Sequence, residues 1–227
     1  MSWDLLRFML IGGWPDGIVG GVVINLFLFV VALLVGLLFA VPLALARLSG
    51  SRSLRTAAAM VVELLRSTPL LLLVFWAYFL LPLLVGGSPD ALTSALVGLV
   101  LYSAAYQSEI VRAGFAAVPA SEVEAGLAVG MTKFQTSLHI VVPQGLRRML
   151  PAGFSFAVSL FKDTAVVYVV GVVDLMQTGL IACERRPSEM LTYYLMMAGC
   201  FFVIGFAITL VGRHLERRLA FSRRVAA

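Results

Sequence analysis

Lys162 and Asp163 are adjacent ionisable residues inside the apolar run from Pro151 to Val173. At about 1.5 Å per residue, Lys162 falls about 16 Å into that run, near the middle of a hydrocarbon core roughly 30 Å thick. An ionisable group at that depth costs on the order of 2.5 to 3.5 kcal/mol on insertion scales. Neighbouring residues point about 100° apart around a helix, so the two do not neutralise each other and at least one must face a polar interior. The chemistry that suits them is recognition: a zwitterion offers a carboxylate to the cation and an ammonium to the anion. An ion-pair network at a subunit interface is the alternative. Bond-making chemistry has little to work with, because His139, His214, Cys183 and Cys200 are isolated and form no nucleophile or metal constellation. The chain also has no Gly-x-x-x-x-Gly-Lys loop to cradle a phosphate, so ATP, if used, is hydrolysed by a partner.

The elements that must position this pair belong to a bilayer. Hydrophobic residues make up 61% of the 227 and charged residues 13%, against about 25% charged in soluble domains. A span needs about 20 apolar residues, and five stretches qualify: 18–46, 64–85, 91–105 extended toward 110, 151–173 and 191–211. The expected fold is therefore all-α, one integral membrane domain over 1–227 with five transmembrane helices. Arg47, Arg52, Arg55 and Arg66 follow the first span, Arg112, Lys133, Arg147 and Arg148 follow the third, and Arg213, Arg217, Arg218, Arg223 and Arg224 follow the fifth. The opposite side holds only Arg7, Arg185 and Arg186, which places the N-terminus outside and the C-terminus inside. These bases flank spans and form no docking face, so no nucleic-acid partner is expected. Met1 to Asp16 lacks the pattern of a cleaved signal peptide, and Trp3 with Phe8 suits a short amphipathic segment at the outer interface. Five spans are few for enclosing a pathway, so two such subunits are expected to pair.

Between the third and fourth spans lies a polar loop, 119–143. Ser121 and Glu124 have the Ser-x-x-Glu spacing of a capping box, which predicts a helix from Glu122. Gly130 can supply the left-handed residue that ends it. Thr132 and Gln135 repeat the box spacing, predicting a second short helix from Lys133 toward Pro143.

Glu124-Ala125-Gly126, Gly130, Ile140 and Pro143 resemble, in type and spacing, the Glu-Ala-Ala loop of permease subunits of bacterial ABC importers. Four further patches resemble the polar amino-acid branch of that family: Arg66-Ser67-Thr68-Pro69-Leu70-Leu71, Ala105 to Ile110 with Arg112 and Gly114, Pro143-Gln144 through Pro151, and Lys162-Asp163-Thr164. The resemblance covers roughly 60–175. It implies the type I importer permease fold in the bacterial inner membrane, with no cofactor in this chain and ATP bound by the partner. It also implies a coupling role for Glu124, Ala125, Gly126, Gly130, Ile140 and Pro143, and makes Lys162, Asp163 and Thr164 the candidate substrate-binding residues. The implied partners are two ATP-binding subunits, a second permease subunit, homologous or identical, and a periplasmic or lipid-anchored amino-acid-binding protein. In members that carry basic amino acids a carboxylate precedes the Lys-Asp-Thr aspartate by about two turns; here that position is Phe156. The runs Val129 to Lys133 and Asp163 to Val169 resemble the glutamate/aspartate subgroup.

Two of these patches also have readings of their own. Thr68-Pro69 is either a fixed hinge or a first-turn proline. Glu109 and Arg112, three apart, favour a structural salt bridge. The expected function is thus an ATP-driven importer permease for polar amino acids. An ion-coupled secondary transporter or channel would carry repeated halves with interrupted helices, and no such repeat stands out.

Overall fold

The computed structural model describes residues 3–15, 17–87 and 89–224. Met1 and Asp16, the ends of the N-terminal segment, lie outside the described residues, and the side chains of Arg223 and Arg224 are likewise not described. Every extended element among the described residues is helical, and the only strand-like features are two isolated bridges, Gly12 to Val19 and Gly21 to Asp174. α1 (Trp3–Ile11) buries Met9 and leaves Trp3 exposed, the one-sided helix expected there. α2 (Val22–Leu48) starts four residues later than Ile18, because the backbone of Val19 and Gly21 is occupied by those two bridges.

The expected second span, 64–85, is not one helix. α3 (Arg52–Ser67) and α4 (Leu70–Val85) meet at 104°. Pro69 stands immediately before α4 and forces Thr68 into extended backbone, which α3 cannot continue. The hydroxyls of Ser67 and Thr68 both donate to the Leu64 carbonyl, at 3.1 and 2.8 Å, and satisfy part of the end that the proline frees.

α5 (Ala91–Ala116) is the central helix and packs against α2, α4 and α8. Its Ser94, Ser103, Gln107 and Ser108 are buried. Gln107 donates to the Leu33 carbonyl at 3.0 Å and to the Ser103 hydroxyl at 2.8 Å. Gly36 on α2 allows this approach, since a Cβ there would sit 2.5 Å from Ser103 Oγ.

The loop departs from expectation at both caps. α6 (Ala120–Ala128) begins before Glu122, with Pro119 at its cap position, and Ser121 and Glu124 make no capping box. Because α6 starts at Ala120, Ser121 and Glu124 both lie inside it and neither stands at a terminus that a box would cap. The predicted second helix is present as α7 (Lys133–Thr136) but does not stop at Pro143. A π turn (Ser137–Val141) carries it into α8 (Val142–Asp163), and a 3-10 turn (Thr164–Val170) completes one helical run of 38 residues. Pro143 falls in the first turn of α8, where a missing donor is tolerated. The loop's second helix is therefore the beginning of the fourth long apolar segment.

α9 (Leu175–Arg185) was not anticipated, although Asp174 and Gln177 have capping spacing; Asp174 Oδ1 accepts from the Gln177 N–H at 2.9 Å. Asn25 of α2 donates to Thr164 Oγ1 at 3.0 Å and to Asp174 Oδ2 at 3.1 Å, and accepts from the Leu175 N–H at 2.9 Å. All three side chains are fully buried, so this network fixes α9 and the end of α8 against α2. Burial pushes the Asp174 carboxyl up to about 6, against the lowering effect of these hydrogen bonds.

α10 (Met190–Arg224) returns antiparallel along α8: Gly212 meets Phe154, Gly205 meets Val158, and Phe201 lies 5.6 Å from Phe161. Among the described residues, three helical runs are long and apolar enough to cross a membrane, Val22–Leu48, Lys133–Val170 and Pro187–Arg218, or four if the bent α3–α4 pair is one span. α5 has a span's length at 26 residues, with its polarity turned inward.

Candidate functional site

The loop end presents an ordered, largely apolar surface. At the close of α6, Gly130 adopts φ +89°, its N–H bonds to the Leu127 carbonyl at 3.0 Å, and the Met131 N–H bonds to the Gly126 carbonyl at 3.1 Å. That pair of bonds is the Schellman motif, and its left-handed residue is the one read from the sequence. Thr132 and Gln135 form the predicted capping box, with Gln135 N to Thr132 Oγ1 at 3.2 Å and Thr132 N to Gln135 Oε1 at 2.8 Å. Gly126 is buried against the next helix, where a Cβ would lie 2.7 Å from Ile140 Cδ1 and 3.2 Å from Thr136 Cγ2. Glycine at this signature position thus lets α6 press on the π turn. Gln144, next to Pro143, donates to Glu122 and ties the two limbs together. Glu124 and Ala125 face outward beside Leu127, Val129, Phe134 and Leu138, with Val129 80% and Phe134 74% exposed. Large apolar side chains so exposed on a hydrogen-bonded frame mark an interaction surface.

A second cluster lies on α3 and α5 above that loop. Glu109 accepts from Arg47 at 2.5 Å and from Arg112 Nε at 3.1 Å, while Glu63 lies 3.5 Å from Arg47 and 3.8 Å from Arg66. The Glu109–Arg112 pair read from the sequence is present, and Arg47 makes it part of a network that joins α2, α3 and α5.

The charged pair of α8 is divided by the fold. Asp163 turns toward α5, where Tyr102 donates to its Oδ2 at 3.1 Å. Tyr102 and Tyr106 stand with ring centroids 4.5 Å apart, and the Arg66 guanidinium sits 5.3 Å over the Tyr106 ring. An anion and a cation thus bracket two aromatic rungs, with Phe156 stacked on Tyr106 at 5.9 Å. Lys162 instead lines a groove of about 530 Å³ between α8 and α10 with Ser155, Ser159, Thr209, Arg213 and Glu216. Thr164 is fully buried and donates to the Phe161 carbonyl at 2.7 Å, so it sits behind the pair and not beside it on a surface.

Lys162 and Asp163 nevertheless share one arc, exposed at Lys162 and half-buried at Asp163. At about 100° per residue, Asp163, Ser159, Ser155 and Lys162 succeed one another within roughly 100° of the α8 circumference. Ala152 and Ser155 in that arc are exposed, whereas Phe156, Ala157, Leu160 and Phe161 on the other side are buried. A strip carrying two charges and two hydroxyls is not a lipid-facing surface. Sequence reasoning missed Arg66, Tyr102 and Tyr106 as its companions. The tyrosines' one-turn spacing was visible, but nothing in the chain pattern joins Arg66 to Asp163. No group of three or more His, Cys, Asp or Glu among the described residues is placed to hold a metal.

Comparison with known proteins identifies the family. The glutamate/aspartate import permease protein GltK of Escherichia coli O6:H1 is 35% identical over 208 residues, covering 88% of this chain and 92% of that protein. The L-cystine transport system permease protein TcyB of Bacillus subtilis is 32% identical over 219 residues, covering 96% and 92%. A crystal structure of an amino acid ABC transporter with histidines superposes with a TM-score of 0.80 at 28% identity, covering 87% of this chain and 92% of that one. Residues 32–221 match the family described as binding-protein-dependent transport system inner membrane components, and the chain belongs to that family of amino-acid ABC permeases.

Proposed function

We propose that this chain is the permease subunit of an ATP-driven importer of polar amino acids, multi-pass in the bacterial inner membrane. It crosses the bilayer five times, through α2, the α4 limb of the bent pair, α5, the α8 run and α10, with the N-terminus outside and the C-terminus inside. It pairs with a second permease subunit, homologous or identical. Two ATP-binding subunits dock below and supply the ATP site that this chain does not itself provide. A periplasmic or lipid-anchored binding protein delivers cargo above. The observation that carries this reading is the polar arc of α8, where Lys162 and Ser155 are exposed and Ser159 and Asp163 half-buried, within a run long enough to span.

The arc accounts for the cargo class. A zwitterion can place its ammonium at Asp163, flanked by the Tyr102 and Tyr106 rings, and its carboxylate toward a cation, Arg66 or Lys162. Thr164 holds the backbone behind the pair. Phe156, where basic cargo would need a second anion, stacks on Tyr106, which favours a cargo of the glutamate/aspartate kind.

Coupling follows from continuity. Glu124, Ala125 and the exposed apolar residues around them sit in a cleft of the ATPase. Gly126, Gly130, Ile140 and Pro143 shape the loop that presents them. From Lys133 the helical run reaches Asp163 without a break, about 45 Å at 1.5 Å per residue, so a displacement of the loop is delivered to the arc as motion of one rod. Closing of the ATPases rocks the paired permeases and switches access from outside to inside.

In proteoliposomes holding the whole importer, uptake is expected to require both ATP and the binding protein and to be indifferent to collapse of ion gradients. Uptake that proceeds without ATP and stops when a gradient is collapsed would make the protein a secondary transporter instead.

A further inference from the structure

We propose that the groove between α8 and α10 is a second anion site, at which Lys162 and Arg213 hold the side-chain carboxylate of an acidic amino-acid cargo. The inference rests on the importer reading above and adds a residue, Arg213, and a ligand group to it.

The direction of the side chains brings the two cations together. Side chains on a helix lean toward its N-terminus. α8 and α10 run antiparallel, with Phe154 against Gly212 and Phe161 against Phe201. Lys162 therefore leans down the groove toward Phe154, and Arg213 leans up it toward Lys162. Their backbones are roughly 12 Å apart along the axis, a gap that two long side chains leaning toward each other narrow to the width of a small anion. Neither has an ion-pair partner among the described residues. Two cations brought together unpaired repel, and an anion between them removes the cost. Ser155 and Ser159 line the same groove and offer hydroxyl donors, whereas Thr209 commits its hydrogen to the Gly205 carbonyl at 2.9 Å. Glu216, about one turn beyond Arg213, leans back toward it by the same rule but forms no ion pair with it, and it stays at the far end of the groove from Lys162.

Depth selects the ligand. Lys162 sits near mid-core, out of reach of a lipid headgroup at the cytoplasmic edge where Arg213 is rooted, so a headgroup cannot bridge the two. A second copy of this chain related by a twofold axis along the membrane normal keeps each residue at its own depth. The Glu216 of such a copy therefore stays several turns from Lys162. A small solute remains, and the groove, at about 530 Å³, has the volume of a ligand pocket. Asp163 and Arg66 on the α5 side take the charges common to all amino acids, so a second cationic pair on the α10 side distinguishes an acidic cargo from its amide.

The test uses the intact importer in proteoliposomes, with glutamate and glutamine as probes and the wild type compared with Arg213→Gln and Arg213→Lys. Arg213→Gln is expected to lower the ratio of glutamate to glutamine uptake about tenfold or more, and Arg213→Lys to restore most of it. An unchanged ratio, an equal loss for both probes, or failure of Arg213→Gln to co-purify with the ATPase would overturn the proposal. Wild-type importer that drives another polar amino acid with ATP but not glutamate would overturn it too, while leaving the importer reading in place. Absence of ATP-driven uptake for any amino acid would instead sink the importer reading.

Discussion

Replacing Asp163 with Asn is expected to lower ATP-driven uptake about 100-fold or more while the importer still assembles. The substitution keeps the shape of the side chain and its contact with Tyr102 but removes the anion that faces the cargo ammonium. Loss of one charge from a desolvated charged contact is worth about 2 to 5 kcal/mol, a range that brackets the roughly 2.7 kcal/mol of a hundredfold drop. Tyr102→Phe removes only the hydrogen bond to the carboxylate and leaves the charge, so its effect is smaller, about tenfold or less. The measurement pairs initial uptake rates with co-purification of the ATPase from the same membranes. Loss of assembly in Asp163→Asn would identify an interface ion pair. Normal uptake with normal assembly would remove Asp163 from the pathway altogether.

Gly126→Leu is expected to abolish transport by a different route. A Cβ at this position already lies 2.7 Å from Ile140 Cδ1 and 3.2 Å from Thr136 Cγ2, so a leucine drives α6 away from the π turn. Overpacking of this kind costs about 1 to 3 kcal/mol, borne by the contact that fixes Glu124 and Ala125 relative to the α8 run. The protein should still reach the membrane, because the apolar runs are untouched. Stimulation of ATP hydrolysis by the loaded binding protein should be lost together with uptake. Gly126→Ala adds only the Cβ, facing the mobile end of Ile140, and should retain most of both. Full coupling in the leucine variant would show that the packing of α6 on the π turn does not carry the signal.

What the sequence made legible was whatever is written in local pattern. The long apolar runs, Gly130 as a left-handed stop and the Thr132–Gln135 box all depend on residues within a turn or two of each other, and the structure contains each of them. The Ser121–Glu124 box has the same spacing and is absent, because Pro119 starts α6 earlier and leaves the box no terminus to cap. Pro143 and Pro151 read as boundaries, yet the helical run passes through both. Pro143 directly follows the π turn at the start of α8 and Pro151 lies inside α8, so the run continues although each proline lacks an N–H for the ladder. The site was half legible. Depth and charge singled out Lys162 and Asp163, but their separation toward α10 and α5 depends on which helices pack on either side of α8. Arg66, Tyr102, Tyr106 and Arg213 join them only through tertiary contacts, which no spacing along the chain encodes. Thr164 matched a motif, and only the fold shows its hydroxyl engaged with Asn25 and Phe161.

If one arc of α8 lines the translocation pathway, thiol labelling along that helix will show it. With Cys183 and Cys200 replaced, single cysteines are placed at Ala152, Ser155, Ser159 and Lys162 on the arc. Others replace Ala157, Leu160 and Phe161 on the buried side, and Phe202 and Phe206 on the exposed apolar face of α10. In the assembled importer a membrane-impermeant thiol reagent is expected to modify the four arc positions, more slowly when cargo is present, and to leave the other five unmodified. Arc positions as unreactive as Phe202 and Phe206, or labelling spread around the whole helix without the period of the arc, would contradict the account.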